Sequence, residues 1–131
     1  MISKHLMMLG WSSCLCTFIS SFSLNSKGKV RIEQYEYDEE NILGQGFSSR
    51  VYLGRLVDNA RKQFAIKVVD KRKLSKVREN LELLKEEMKV HRQLDHPNII
   101  RCFEIIEKPN FYFFVLEYCP HGTLDSFIKR H

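Results

Sequence analysis

Between Tyr35 and Asp70 the chain alternates short apolar runs with polar clusters, the pattern of half-buried strands rather than of a helix. Glu36 to Leu43 leads into the turn Gly44-Gln45-Gly46, Arg50 to Val57 returns, and Asp58-Asn59-Ala60 supplies turn residues before Gln63 to Val69. Three strands joined by tight turns make an antiparallel meander. The period then changes. From Val77 to Leu94 the residues Leu81, Leu84 and Met88, with Leu83, Val90 and Leu94 on a neighbouring track, recur at helical spacing, uninterrupted by Pro or Gly. One helix of roughly four to five turns is predicted there. Arg101 to Glu107 and Phe111 to Glu117 make two further strands around Lys108-Pro109-Asn110, and Thr123 can cap a short final helix with Asp125 in its first turn. The expected fold class is α+β, a five-stranded antiparallel sheet with one long helix and one short terminal helix.

Residues 1–34 stand apart from this pattern and are expected to be a leader, disordered or weakly hydrophobic, ahead of a domain over residues 35–131. From Leu6 to Ser26 there is no acidic or basic side chain, yet Ser12, Ser13, Thr17, Ser20, Ser21 and Ser23 interrupt the apolar residues. The requirements of a spanning helix and of a signal peptide are each half met. Membrane anchorage through residues 6–26 stays an alternative to a cytoplasmic protein. Because Lys27-Gly28-Lys29 reads as the start of a polar linker, residues 1–30 are expected to be dispensable for folding.

Composition is that of an ordinary globular chain, 44% hydrophobic and 28% charged. At 131 residues there is room for one small domain. The net charge of +5 is uneven, with eight basic residues and only Asp70 acidic between Arg61 and Arg78. A solvated turn and helix entrance accounts for that cluster without an acidic partner, and no nucleic-acid partner is expected. Cys14, Cys16, Cys102 and Cys119 have neither zinc spacing nor a disulfide framework, so reduced structural thiols and no metal site are expected.

Two short segments carry chemistry. Leu43-Gly44-Gln45-Gly46-Phe47-Ser48-Ser49-Arg50-Val51 places glycines two apart, where a backbone without Cβ atoms can approach phosphates and offer its N–H groups. Phe64-Ala65-Ile66-Lys67-Val68-Val69 places one lysine inside an apolar strand. A buried ammonium costs several kcal/mol unless an anion accompanies it. Fold or ligand must therefore supply negative charge.

These segments match the Gly-rich loop and the Val-Ala-Ile-Lys strand of eukaryotic protein kinases. The match continues in order: Glu87 in the long helix, then Leu94-Asp95-His96-Pro97-Asn98-Ile99-Ile100, then Phe111 to Cys119, then Pro120-His121-Gly122-Thr123-Leu124. From about Tyr35 to His131 the chain resembles the N-terminal lobe of a serine/threonine protein kinase, with likeness to the Unc-51-like, Aurora and calmodulin-dependent groups. The resemblance implies that Lys67 contacts the α- and β-phosphates of ATP. It implies that Glu87, which lies in the helix called αC, pairs with Lys67. Family spacing, nine residues back from His96, selects Glu87 over Glu86, since adjacent helical residues point about 100° apart.

The resemblance also implies the rest of an ATP site. Gly44, Gln45, Gly46, Phe47, Ser48 and Ser49 would cover the phosphates, with Ser49 standing where the family has a third glycine. Leu43, Val51 and Ala65 would form an apolar ceiling over the base, Leu116 would be the gatekeeper, and backbone groups of Glu117 and Cys119 would read the base edge. Thr123 would approach the ribose from the start of the helix called αD. An apolar core role competes for Leu43, Val51, Ala65 and Leu116. His91 and Cys102 would belong to a stacked spine, and a satisfied core histidine is the expectation for His91.

A complete kinase domain continues into a His-Arg-Asp catalytic loop and an Asp-Phe-Gly segment, and neither motif occurs in the sequence. The expectation is an incomplete kinase sequence, inactive alone, with magnesium and the protein substrate handled by a second lobe. The alternative is a non-catalytic nucleotide-binding or regulatory kinase-like module.

Overall fold

A computed structural model describes residues 24–25, 28–76 and 78–130. The candidate apolar segment at residues 6–26 lies almost wholly outside them. Among the described residues no helix is long and apolar enough to cross a membrane.

Among the described residues seven strands form one antiparallel sheet: β1 Leu24–Asn25, β2 Lys29–Ile32, β3 Tyr35–Gln45, β4 Ser49–Leu56, β5 Gln63–Asp70, β6 Cys102–Glu107 and β7 Phe111–Glu117. Their order across the sheet is β1-β2-β3-β4-β5-β7-β6. Helix α1 is Lys71–Leu74, α2 is Arg78–Gln93 and α3 is Leu124–Arg130. Two neighbouring inner strands, β5 and β7, are buried on both faces, which is why they read as nearly unbroken apolar runs.

Alternation along β5 separates two cores. Phe64, Ile66 and Val68 join Val30, Ile32, Tyr35, Tyr37, Tyr52, Phe111, Phe113 and Val115 on one face. Ala65 and Val69 join Leu84, Ile100, Tyr112, Phe114 and Leu116 on the other, where Leu81 and Met88 of α2 pack over the sheet. The first core has no helix to cover it. The sheet covers it by curling: Tyr35 meets Phe64 edge to face at 5.4 Å, and Tyr37 stacks on Tyr52 at 4.5 Å. The curl brings the β2–β3 turn to the far edge strand, where Tyr35 Oη donates to Glu104 Oε2 (2.8 Å) and Lys108 pairs with Glu33 (3.1 Å).

The expected five strands thus become seven. Both additions, β1 and β2, fall in the stretch the sequence assigned to a leader. Lys29-Val30-Arg31-Ile32 has strand alternation, but four residues beside a Lys-Gly-Lys turn are too few to stand out from a linker. Gly28 makes that turn at φ +71°, a conformation natural to glycine. Val30, inside the stretch expected to be dispensable, has no exposed surface, and Ile32, just beyond it, is 3% exposed. Ile32→Ala is expected to destabilise the chain by about 2–5 kcal/mol, the range for truncating a buried aliphatic side chain. Urea unfolding of the 131-residue protein measures it, and a loss below about 0.5 kcal/mol, the level of an ordinary surface change, would show that β2 is not part of the folded core.

Candidate functional site

Strand β3 runs past Gly44, which pairs with Val51, and ends at Gln45, which pairs with Arg50. The chain then reverses over Gly46, Phe47 and Ser48, with the Gly46 N–H donating to the Ser49 carbonyl (2.7 Å). A second bond pins this turn to the sheet: the Asp70 N–H donates to the Ser48 carbonyl (2.8 Å). Phe47 stands out at the tip, 58% exposed. A Cβ added at Gly44 would meet nothing closer than Val51 Cβ at 4.0 Å, and its φ is not positive. Neither packing nor backbone conformation demands a glycine there. The residue leaves open room beside the backbone.

Lys67 lies across β5 from this turn, in register with Val51 on β4 and Phe114 on β7. Only 5% of its surface is exposed. Its Nζ is 5.7 Å from the centre of the Phe114 ring. Burial pushes its pKa down from the ordinary 10.5 to about 6, and the Glu87 carboxylate offsets part of that fall. Glu87 itself is exposed on α2. Its neighbour Glu86 faces elsewhere and forms a solvent-exposed pair with Lys89 (2.6 Å).

The apolar residues expected over a base do come together. Ala65 and Leu116, cross-strand partners, share one cluster with Leu43, Val51 and Cys119. The same cluster holds Leu84 and Tyr112, so these positions serve the core whatever else they do. At the exit of β7, the Glu117 N–H donates to the Arg101 carbonyl (2.8 Å) while Glu117 Oε2 accepts from the Arg101 N–H (3.2 Å). Thr123 caps α3, its Oγ1 accepting from the Ser126 N–H at 3.1 Å. That bond is to its own helix. His91 Nε2 lies 2.8 Å from the Ile100 carbonyl, the arrangement of a satisfied core histidine. Cys102 is half-buried, and burial raises its thiol pKa, which keeps it protonated.

Sequence reasoning gave Asp70 no role beyond its charge. It is 3% exposed, ends β5 and caps α1, accepting from the Arg72 backbone N–H (2.9 Å), Nε (3.1 Å) and Nη2 (3.0 Å). Burial by itself would raise its pKa; the Arg72 hydrogen bonds and charge outweigh that and hold it below the usual carboxylate range. The available signal was an Asp at the end of an apolar run, directly before residues that begin a helix. Through its N–H the same residue anchors the Gly-rich turn three positions from Lys67.

The family model described as "Protein kinase domain" matches residues 37–131. CBL-interacting serine/threonine-protein kinase 10 of Arabidopsis thaliana is 38% identical over 95 residues, which cover 72% of this chain and 19% of that protein. Serine/threonine-protein kinase ATG1a of the same plant is 50% identical over 70 residues, 53% of this chain and 11% of that one. Serine/threonine-protein kinase PLK4 of Xenopus tropicalis is 29% identical over 103 residues, 79% of this chain and 11% of that one. The chain thus spans about a tenth to a fifth of the length of these relatives. With the matched region running from strand β3 through the Gly-rich turn, Lys67 and α2 past the end of α3, the chain belongs to the protein kinase family.

Proposed function

We propose that residues 37–131 form the ATP-binding part of a protein serine/threonine kinase. One observation carries the reading: a lysine with 5% exposure and a pKa near 6, on the strand paired with the one that follows a glycine turn whose Gly44 has open space beside its backbone. Apolar core alone gives no reason for an amine at that position, since burying an ammonium costs stability. A triphosphate supplies an anion to pair with that ammonium. In this reading Lys67 orients the α- and β-phosphates, and the Gly44 to Ser49 turn covers them. Leu43, Val51, Ala65 and Leu116 hold the base, Glu117 and Cys119 read its edge, and Thr123 lies toward the ribose. Glu87 positions Lys67 rather than touching the nucleotide. Bound ATP supplies the transferable γ-phosphoryl group to a Ser or Thr of a protein substrate. Magnesium and the substrate hydroxyl fall to residues outside this sequence, which holds no His-Arg-Asp or Asp-Phe-Gly motif.

Titration of the chain with a fluorescent ATP analogue tests the binding half of this proposal. Saturable binding that unlabelled ATP displaces supports it, and absence of displacement at millimolar ATP refutes it. Glu87→Gln and Glu86→Gln separate the two neighbouring carboxylates in a longer chain that includes the downstream lobe. Glu87→Gln is expected to lower the phosphoryl-transfer rate roughly tenfold to a hundredfold, within the effect of losing a positioning charge, with ATP affinity little changed. Glu86→Gln should be nearly silent, because its partner is an exposed lysine of the kind that contributes little. The reverse order of effects would move the register of α2 by one residue.

A further inference from the structure

The β2–β3 turn is strained and doubly fastened. Glu33 has φ +53°, an uncommon conformation for a residue with a Cβ, and such strain persists where the surroundings over-determine it. Here the fastening is to β6, on the far side of the curl. Gln34 Nε2 donates to Tyr35 Oη (3.0 Å), and Tyr35 Oη donates in turn to Glu104 Oε2 (2.8 Å). Lys108, just past β6, pairs with Glu33 at 3.1 Å. Beneath these polar contacts Tyr35 packs edge to face on Phe64, which packs edge to face on Phe103, each pair at 5.4 Å. Residues 33–36 precede the region that the family model matches.

Strand β6 is not passive structure for the site. Its register slips between Cys102 and Glu104, so that Cys102 stands opposite Leu116 while Glu104 stands opposite Val115. A bulge of this kind redirects a side chain, and Glu104 reaches across to Tyr35. Immediately before β6, Arg101 exchanges two hydrogen bonds with Glu117. A continuous path therefore runs from the turn through Tyr35 and Glu104 to the strand that holds Leu116 and Glu117.

We propose that the Gln34-Tyr35-Glu104 relay is a clasp that positions the base-reading end of β7, Leu116 and Glu117, and so tunes affinity for the adenosine part of the nucleotide. The proposal rests on the nucleotide-binding reading above. Tyr35 and Glu104 are positioning residues, since neither lies on the face that carries Lys67. Releasing the clasp loosens β6 against β7 without touching the Gly-rich turn.

Tyr35→Phe keeps the buried ring and deletes the hydroxyl, which is both donor to Glu104 and acceptor for Gln34; Glu104→Ala deletes the acceptor of the Tyr35 hydroxyl. Amide hydrogen exchange of the 131-residue chain reads the clasp independently of any ligand. Exchange at Phe113 to Glu117 is expected to quicken about tenfold in either variant, and no further in the double variant. Amides of β4 and the Gly-rich turn should keep the wild-type rate. Uniform quickening everywhere would make the relay a general stabiliser and overturn the proposal, as would no change. The second readout is competition against the fluorescent ATP analogue. Adenosine affinity should fall several-fold in the variants while inorganic tripolyphosphate affinity holds. An equal fall for both ligands, or unchanged adenosine affinity, would overturn the positioning role. A wild-type chain that binds neither ligand would refute the nucleotide reading, and the exchange pattern would then decide on the clasp alone.

Discussion

Lys67→Met is expected to make the chain more stable and at the same time to abolish phosphoryl transfer in a chain extended with its downstream lobe. The stability half follows from where the proton goes. In the unfolded chain Lys67 keeps its proton to about pH 10.5, whereas in the folded chain it gives it up near 6. Between those values the unfolded state binds more protons, so folding stability rises with pH across that window. Below about pH 6 the full penalty for burying the charge applies, on the order of 6 kcal/mol. Met fills the space of the lysine stem with no charge to desolvate, and replacing buried charge by apolar volume gains roughly 1–4 kcal/mol. Glu87 loses little in the exchange, because it is exposed. Thermal melts from pH 6 to 9 should show the variant ahead at the acid end, with the gap closing toward alkaline pH. A variant less stable than the parent at pH 7 would show that Lys67 is a net structural asset.

The same titration gives the functional half a signature. If phosphates recharge Lys67, ATP binding at pH 7.5 takes up as much as one proton per site. Calorimetric titrations in buffers of different ionisation enthalpy would read that uptake, and Lys67→Met should remove it along with measurable phosphoryl transfer. Buffer-independent binding heats would sink the assignment of Lys67 to the phosphates.

Gly54→Ala is the second large expected effect, and it comes from packing alone. A Cβ on Gly54 would lie 2.3 Å from Ile66 Cδ1, 2.7 Å from Ile66 Cγ1 and 3.2 Å from the Glu36 carbonyl oxygen. Ile66 is 1% exposed in the first core, so its side chain would have to shift among buried neighbours. Over-packing of this sort costs about 1–3 kcal/mol. Gly44→Ala should do the opposite, leaving stability within about 0.5 kcal/mol and weakening ATP. Denaturant melts and nucleotide titrations on the two variants form a crossed test. Two glycines ten residues apart in one hairpin would then be separated into one that packing requires and one that a ligand requires.

Much of this architecture was legible because the signals were local. The shift to helical spacing near Val77 marks the start of α2, and Lys67 stands out as the one charge within an apolar run. Thr123 and Lys108-Pro109-Asn110 carry their cap and turn chemistry in their own residues. What escaped was non-local. Val30 and Ile32 are core residues only because the sheet curls, and four residues with two charges do not announce that. Asp70 read as a lone acid in a basic stretch, since its partner Arg72 is two positions away while its other task depends on Ser48, far off in sequence. Tyr35 and Glu104 are 69 residues apart, and no periodicity links them.

The bond from the Asp70 N–H to the Ser48 carbonyl has a kinetic consequence. A single backbone hydrogen bond is worth about 1 kcal/mol net. Lifting the Gly-rich turn off the sheet by breaking it therefore leaves roughly one molecule in six open at any instant, at RT near 0.6 kcal/mol. Loop motions of this kind run in nanoseconds to microseconds. If ATP binds as proposed, a turn that opens on this timescale covers the phosphates without holding them, and residence time is expected to follow the grip of Lys67 and the base pocket on the ligand.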